Sequence, residues 1–283
     1  MAISIILIIL GFVLLIKGAD LLVDGSSEIA KRFHIPEIII GLTIVSIGTS
    51  MPELFVSSTS ASNGSPDMAI GNIIGSNLCN LLLILGLSSL IKPVKFQRET
   101  RLIEMPMSLI ITIIFMIFCN TTGTITKTEG IILIILFIAF LIYTIVMGIK
   151  GEKFDKEEDI KEVKVEEKQS PIIKNIIFIV AGIIALKFGG DLTIDHATNI
   201  AKMFNVSEKV IGLTILAIGT SLPELVTSVT AAIKGNSDIA IGNIIGSNIF
   251  NILLIIGVSA LISPLAYNFT YNIQMIILIL AML

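Results

Sequence analysis

Apolar residues run in long blocks along the chain, separated by short polar breaks, and nothing alternates with the two-residue period of a barrel strand. The blocks predict membrane-crossing helices over 2–24, 37–62, 67–91, 102–120 and 128–149, then 172–195, 208–233, 238–262 and 271–283. All but the last have close to the ~20 residues that a hydrocarbon core demands. Lipid offers no partner to an open backbone group, so blocks of this kind are expected as helices. One strongly polar stretch, 150–171, interrupts them with GEKFDKEEDIKEVKVEEKQSP. Its mixed charges predict a solvated helix or tether. Its interleaved lysines and lack of ordered EF-hand spacing speak against Ca2+ sensing. It is also too short for a folded regulatory domain.

The chain repeats itself. Residues 41–93 align without a gap on 212–264 at a constant offset of 171, with 34 of 53 positions identical. The first copy reads GLTIVSIGTSMPELFVS and then DMAIGNIIGSNLCNLLLILG; the second reads GLTILAIGTSLPELVTS and then DIAIGNIIGSNIFNILLIIG. The same offset pairs Gly18, Asp20 and Asp24 with Gly189, Asp191 and Asp195. Five spans precede the polar stretch, an odd number, so the second copy enters the membrane with opposite polarity. The expected fold is therefore an all-α membrane protein of two inverted-topology repeats of five helices each. The first occupies 1–149, a charged linker 150–171, and the second 172–283, where the chain stops at Leu283 inside the repeat's fourth helix. Inverted repeats characterise many secondary transporters, with the substrate site near the midplane between the copies.

Composition agrees. Of 283 residues, 54% are hydrophobic and 14% charged, against roughly one quarter charged in soluble domains. The first basic residue is Lys17, so there is no basic leader region, and the opening apolar run is long enough to span. Cys79 and Cys119 are expected as packed thiols and not as a disulfide framework. Two histidines are too few for a transition-metal cluster. No His or Cys constellation and no phosphate loop points to an enzyme, and no nucleic-acid or obligate protein partner is expected. With the N-terminus outside, fourteen Lys and Arg residues fall in cytoplasmic segments and three (Lys127, Lys202, Lys209) in outer ones. This bias places the linker in the cytoplasm of a cell whose plasma membrane holds the protein.

Candidate chemistry sits where the repeats match best. Glu53 and Glu224 occupy equivalent places midway along predicted spans. A charge there costs at least about 2.5–3.5 kcal/mol, so such a residue is expected to face a cavity and serve an ion or proton. In Gly48-Thr49-Ser50-Met51-Pro52-Glu53 the proline breaks the helix. Ser50-x-x-Glu53 has capping-box spacing for a restarted half-helix. Thr220-Ser221-Leu222-Pro223-Glu224 repeats the arrangement. A broken helix frees backbone carbonyls, which lipid tolerates only inside protein or beside water. Ser46, Ser50, Glu53 and Ser57 form one helical stripe; Asn72, Ser76 and Asn80 form another on the next span. The second copy supplies Ser221, Glu224 and Ser228, then Asn243, Ser247 and Asn251. The G-x-x-x-G pair Gly71 and Gly75 is expected to allow close helix packing. Brought together, Glu53, Glu224, Asn80 and Asn251 offer only oxygen ligands, which Ca2+ and Na+ prefer. Two carboxylates are neutralised by one Ca2+ or by two Na+, so the two loads compete. Asp20, Asp24, Asp191 and Asp195 are candidates for guiding ions, or for interfacial anchoring beside Lys17 and Lys187.

At these motifs the chain resembles the cation/calcium antiporter superfamily, and within it the Na+/Ca2+ exchanger branch. G-T-S-x-P-E and G-N-x-x-G-S-N, each present twice, carry the resemblance, which covers nearly the whole chain. It implies a ten-helix fold whose second, third, seventh and eighth helices hold the ions while the first and sixth slide past them. It implies that Glu53 and Glu224 bind Ca2+ and Na+, that Thr49 and Thr220 reach Ca2+ through backbone carbonyls, and that Asn80 lines the central site. It also implies that Ser50, Ser76, Ser221 and Ser247 bind Na+, helped by the Ser46 and Ala217 carbonyls. Ca2+ and Na+ would be cargo, with no organic cofactor. Asn251 departs from several relatives, which carry Asp there; this speaks against K+ cotransport. The expected function is Ca2+-for-Na+ antiport by alternating access at a two-Glu midplane site. A Ca2+/H+ exchanger and a cation channel remain the alternatives.

Overall fold

The computed structural model describes residues 1–93, 96–98, 100–158, 170–206, 215 and 217–283. Most of the expected linker (159–169) and the start of the seventh span (207–214) lie outside them. The described chain is almost all helical: α1 (Ala2–Phe33), α2 (Glu37–Thr49), α3 (Met51–Ser62), α4 (Pro66–Ile91), α5 (Thr100–Thr122), α6 (Lys127–Glu158), α7 (Ile172–Met203), α8 (Ala217–Gly219), α9 (Leu222–Lys234), α10 (Ser237–Ile262) and α11 (Asn272–Met282). The expected span 37–62 is two helices, α2 and α3, bent by 48° where they meet.

Three helices outrun their apolar blocks: α1, α6 and α7, the last running to Met203 past its expected limit at 195. α1 continues nine residues past the expected limit at 24, to a left-handed stop at His34 (φ 52°). Its Asp20, Asp24, Glu28 and Lys31 share one open face, while Leu22, Val23, Ser26 and Ala30 on the other stay buried. The helix therefore keeps a packed side beyond the hydrocarbon-length segment. α6 likewise runs to Glu158, into what the charge pattern assigned to the linker.

α1 and α7 cross antiparallel through glycines. A Cβ on Gly18 would stand 2.9 Å from the Gly182 carbonyl oxygen, and one on Gly189 would stand 2.7 Å from that of Gly11. Only backbone fits there. At the offset of 171, Gly11 corresponds to Gly182 and Gly18 to Gly189, so the two helices meet about the pseudo-twofold that relates the repeats. A second close crossing joins α2 to α10, where a Cβ on Gly246 would lie 2.8 Å from the Leu42 Cα. At the offset of 171 the counterpart of Gly246 is Gly75, and that of Leu42 is residue 213, which lies outside the described residues, as does the packing expected of Gly71 and Gly75 there.

α10 is the most enclosed span, 83% buried against 39% for its repeat counterpart α4. Part of its cover is α6, which approaches it at Gly130 and Gly257. A short antiparallel ribbon pairs Thr124 with Ala266 and Ile125 with Leu265. It ties the α5–α6 loop to the segment after α10, so both lie on one membrane face, as alternating spans require.

Candidate ion-binding site

The helix breaks put both glutamates where the sequence expects them. Ser50 (φ −84°, ψ 8°) separates α2 from α3, and Ser221 (φ −86°, ψ 5°) precedes α9. Pro52 and Pro223 stand in the first turn of the restarted helices. Neither can donate to the carbonyl four residues back, on Gly48 or Gly219. Glu53 and Glu224 follow at the positive ends of α3 and α9, where the helix dipole favours an anion. Each is only 1% exposed, so neither carboxylate is solvated by bulk water or turned to lipid.

The capping box is not formed. The Ser50 side chain makes no bond to its own helix. Its hydroxyl donates instead to Glu224 Oε1 of the other repeat, at 2.8 Å. A hydroxyl bonds a carboxylate more strongly than a neutral acceptor. Ser76 donates to Glu53 Oε1 at 3.5 Å.

Further bonds cross between the repeats in matched pairs. The Thr49 hydroxyl donates to Asn243 Oδ1 (3.0 Å), and the Thr220 hydroxyl to Asn72 Oδ1 (3.4 Å). Asn243 Nδ2 then donates to Ser228 Oγ (3.0 Å) and Asn72 Nδ2 to Ser57 Oγ (3.1 Å). These six residues tie the broken helices of each repeat to the neighbouring spans. Asn80 Nδ2 donates to Asn248 Oδ1 (2.9 Å), and Asn251 Nδ2 to Asn77 Oδ1 (3.0 Å). The carbonyls differ between the copies. That of Ser46 accepts the Ser50 N–H at 3.0 Å, whereas the Ser221 N–H goes to Ile218 at 3.2 Å and leaves Ala217 aside.

Several buried polar atoms remain without a partner, six of them oxygens of the expected ligands. Glu53 Oε2, Glu224 Oε2, Asn80 Oδ1, Asn251 Oδ1, Ser221 Oγ and Ser247 Oγ are buried and have no hydrogen-bond partner. An unmet buried polar group costs about 1–3 kcal/mol, more if charged. Six of them, drawn from both repeats and two of them from carboxylates, suit a hard cation that takes oxygen ligands. Among the described residues no group of three His, Cys, Asp or Glu side chains could hold a metal, so the donor set is one of carboxylates, amides and hydroxyls.

The sequence profile of the family described as "Sodium/calcium exchanger protein" matches residues 3–146 and 174–283. The chain belongs to that family. It is 35% identical to the inner membrane protein YrbG of Escherichia coli over 97% of this chain and 86% of that one. It is 31% identical to the sodium/calcium exchanger MaX1 of Methanosarcina acetivorans, over 93% and 84%. Its fold is similar to solved structures of the sodium-calcium exchanger NCX_Mj, with a TM-score of 0.85 and 32% identity over 99% of this chain and 88% of that one. A protein of this exchanger family is a membrane transporter and not an enzyme.

Two features of the candidate site had weak or no signal in the sequence. Asn77 and Asn248 close the G-N-x-x-G-S-N motifs but fall outside the four-residue stripes, yet they grip Asn251 and Asn80. The helices also widen into π turns at Cys79–Ile84 and Asn251–Ile256, beside those asparagines. Of the flanking acids, Asp20 and Asp24 of α1 both bind Lys234 at the end of α9, at 3.1 and 2.7 Å. Asp191 pairs with Lys187 at 2.6 Å, and Lys17 with Asp20 at 3.6 Å.

Proposed function

We propose that this exchanger moves Ca2+ and Na+ in opposite directions through one site that they occupy in turn. The observation that carries the reading is the set of six partnerless buried oxygens around Glu53 and Glu224. Two carboxylates bring a charge of −2, balanced by one Ca2+ or two Na+. Either load satisfies oxygens that are costly to leave bare, and the two cannot be held together. Glu53, Glu224, Asn80 and Asn251 are the central ligands, with the Thr49 and Thr220 carbonyls completing the Ca2+ shell. Ser50, Ser76, Ser221 and Ser247, with the Ser46 and Ala217 carbonyls, serve Na+. The names of MaX1 and NCX_Mj as sodium/calcium exchangers support this pair of ions. Mg2+ is the poorer guest, because it dehydrates reluctantly and demands an octahedron. The protein lies in the plasma membrane with its N-terminus outside and its linker in the cytoplasm.

The test is Ca2+ uptake into proteoliposomes loaded with Na+. An outward Na+ gradient should drive uptake. A proton gradient alone, or no gradient, should not; uptake without any counter-ion gradient would make this a channel. Glu53→Gln and Glu224→Gln should each cut Na+-driven uptake at least 100-fold, with the elution profile and thermal midpoint in detergent retained. Normal uptake in either variant would overturn the two-glutamate site.

A further inference from the structure

An asparagine amide is useful to a cation on one side only. Its oxygen attracts the ion and its NH2 repels it, and the two have nearly the same shape. A cation site built on Asn251 therefore needs something that decides which way this amide points. Asn251 is 1% exposed and Asn77, across the repeat boundary on α4, is 0% exposed. Neither is oriented by water.

Two consecutive bonds set the direction. The Asn248 backbone carbonyl can only accept, and Asn77 Nδ2 donates to it at 3.3 Å. That bond turns Asn77 Oδ1 towards Asn251. An oxygen there can only accept, so Asn251 supplies its Nδ2, at 3.0 Å. The Asn251 oxygen is left on the opposite side, buried and without a partner. The polarity of the chain of bonds starts from a main-chain group that cannot be flipped. The pseudo-symmetric arm lacks this anchor. Asn80 is held by Asn248 Oδ1, but the Asn248 Nδ2 has no partner.

We propose that Asn77 is a positioning residue for ion binding: by bridging the Asn248 carbonyl and the Asn251 amide, it presents the Asn251 oxygen, and not its NH2, to the transported cation. This rests on Asn251 being a ligand, as proposed above. Asn77 itself does not touch the ion.

The experiment uses the full chain in proteoliposomes and reads the half-saturating Ca2+ concentration of Na+-driven uptake. Asn77→Leu removes both bonds and should raise that concentration at least tenfold. Asp at position 251 offers oxygen on both sides and needs no orienting partner. In an Asn251→Asp background the same Asn77→Leu change should therefore shift half-saturation less than threefold. Asn77→Ser, which is too short to bridge both partners, should behave like the leucine variant and guards against a packing artefact. Equal losses in the two backgrounds would mean that Asn77 only supports the fold and would overturn the proposal. So would the absence of any loss in the natural background, or a failure of both Asn77 variants to fold. A separate arm isolates the underlying reading: if Asn251→Leu leaves Ca2+ half-saturation unchanged, Asn251 is no ligand and the ion-site assignment fails at that residue.

Discussion

Ser50 shows how much a single hydroxyl decides. Its spacing to Glu53 is that of a capping box, yet it donates to Glu224 Oε1 in the other repeat. A hydrogen bond to a charged group contributes about 1.5–3 kcal/mol. Ser50→Ala should therefore raise the half-saturating Na+ or Ca2+ concentration roughly tenfold or more, read as the concentration dependence of uptake. Ser221 holds the equivalent place, but its hydroxyl has no protein partner. Ser221→Ala should then weaken Na+ binding while leaving the Glu224 carboxylate as well held as before, a smaller loss than at Ser50. The stripe Ser46, Ser50, Glu53, Ser57 was legible from spacing alone, because helical periodicity assigns a face. The acceptor of the Ser50 hydroxyl was not, because it belongs to a helix 174 residues away.

At the scale of the element, the proline breaks do the positioning. The 48° bend between α2 and α3 places the start of α3, with its unsatisfied N–H groups, at membrane depth beside a carboxylate. Pro52→Ala would restore the N–H that can reach the Gly48 carbonyl and allow a straighter helix. The expected result is a thermal midpoint equal to or higher than that of the natural chain, with Na+-driven uptake lowered about tenfold. Loss of both stability and uptake would instead make the bend a requirement of the fold. The break was readable from Gly-Thr-Ser-x-Pro-Glu. The π turns at Cys79–Ile84 and Asn251–Ile256 were not, since an extra residue per turn leaves no compositional mark in an apolar run.

At the scale of the whole molecule, two copies of one pattern meet in opposite senses. The glycines of α1 and α7 oppose each other in register, Gly11 against Gly189 and Gly18 against Gly182. At these points backbone meets backbone, which lets the two helices approach closely. Lys234 joins α9 to α1 through Asp20 and Asp24; such part-exposed ion pairs hold weakly. The proposed orientation has a direct test. In a background with Cys79 and Cys119 replaced by serine, a cysteine at Lys127 should react with an impermeant maleimide added to intact cells. A cysteine at Ser170 should react only after permeabilisation. The reverse pattern would invert the topology.

Hydrophobic block length, the odd span count and the repeat at an offset of 171 by themselves determined a helical membrane protein of two inverted halves. Lipid leaves the backbone no other choice, and a buried acid in each half is too costly to be idle. The tertiary structure alone decided which groups face each other. It sent Ser50 to the opposite glutamate and set Asn72 and Asn243 behind the site. It enclosed α10 more fully than α4 and turned the Asn251 amide through Asn77. Periodicity specifies the face a residue occupies on its own helix; the partner, and the side of an amide that meets it, depend on how separate helices are brought together.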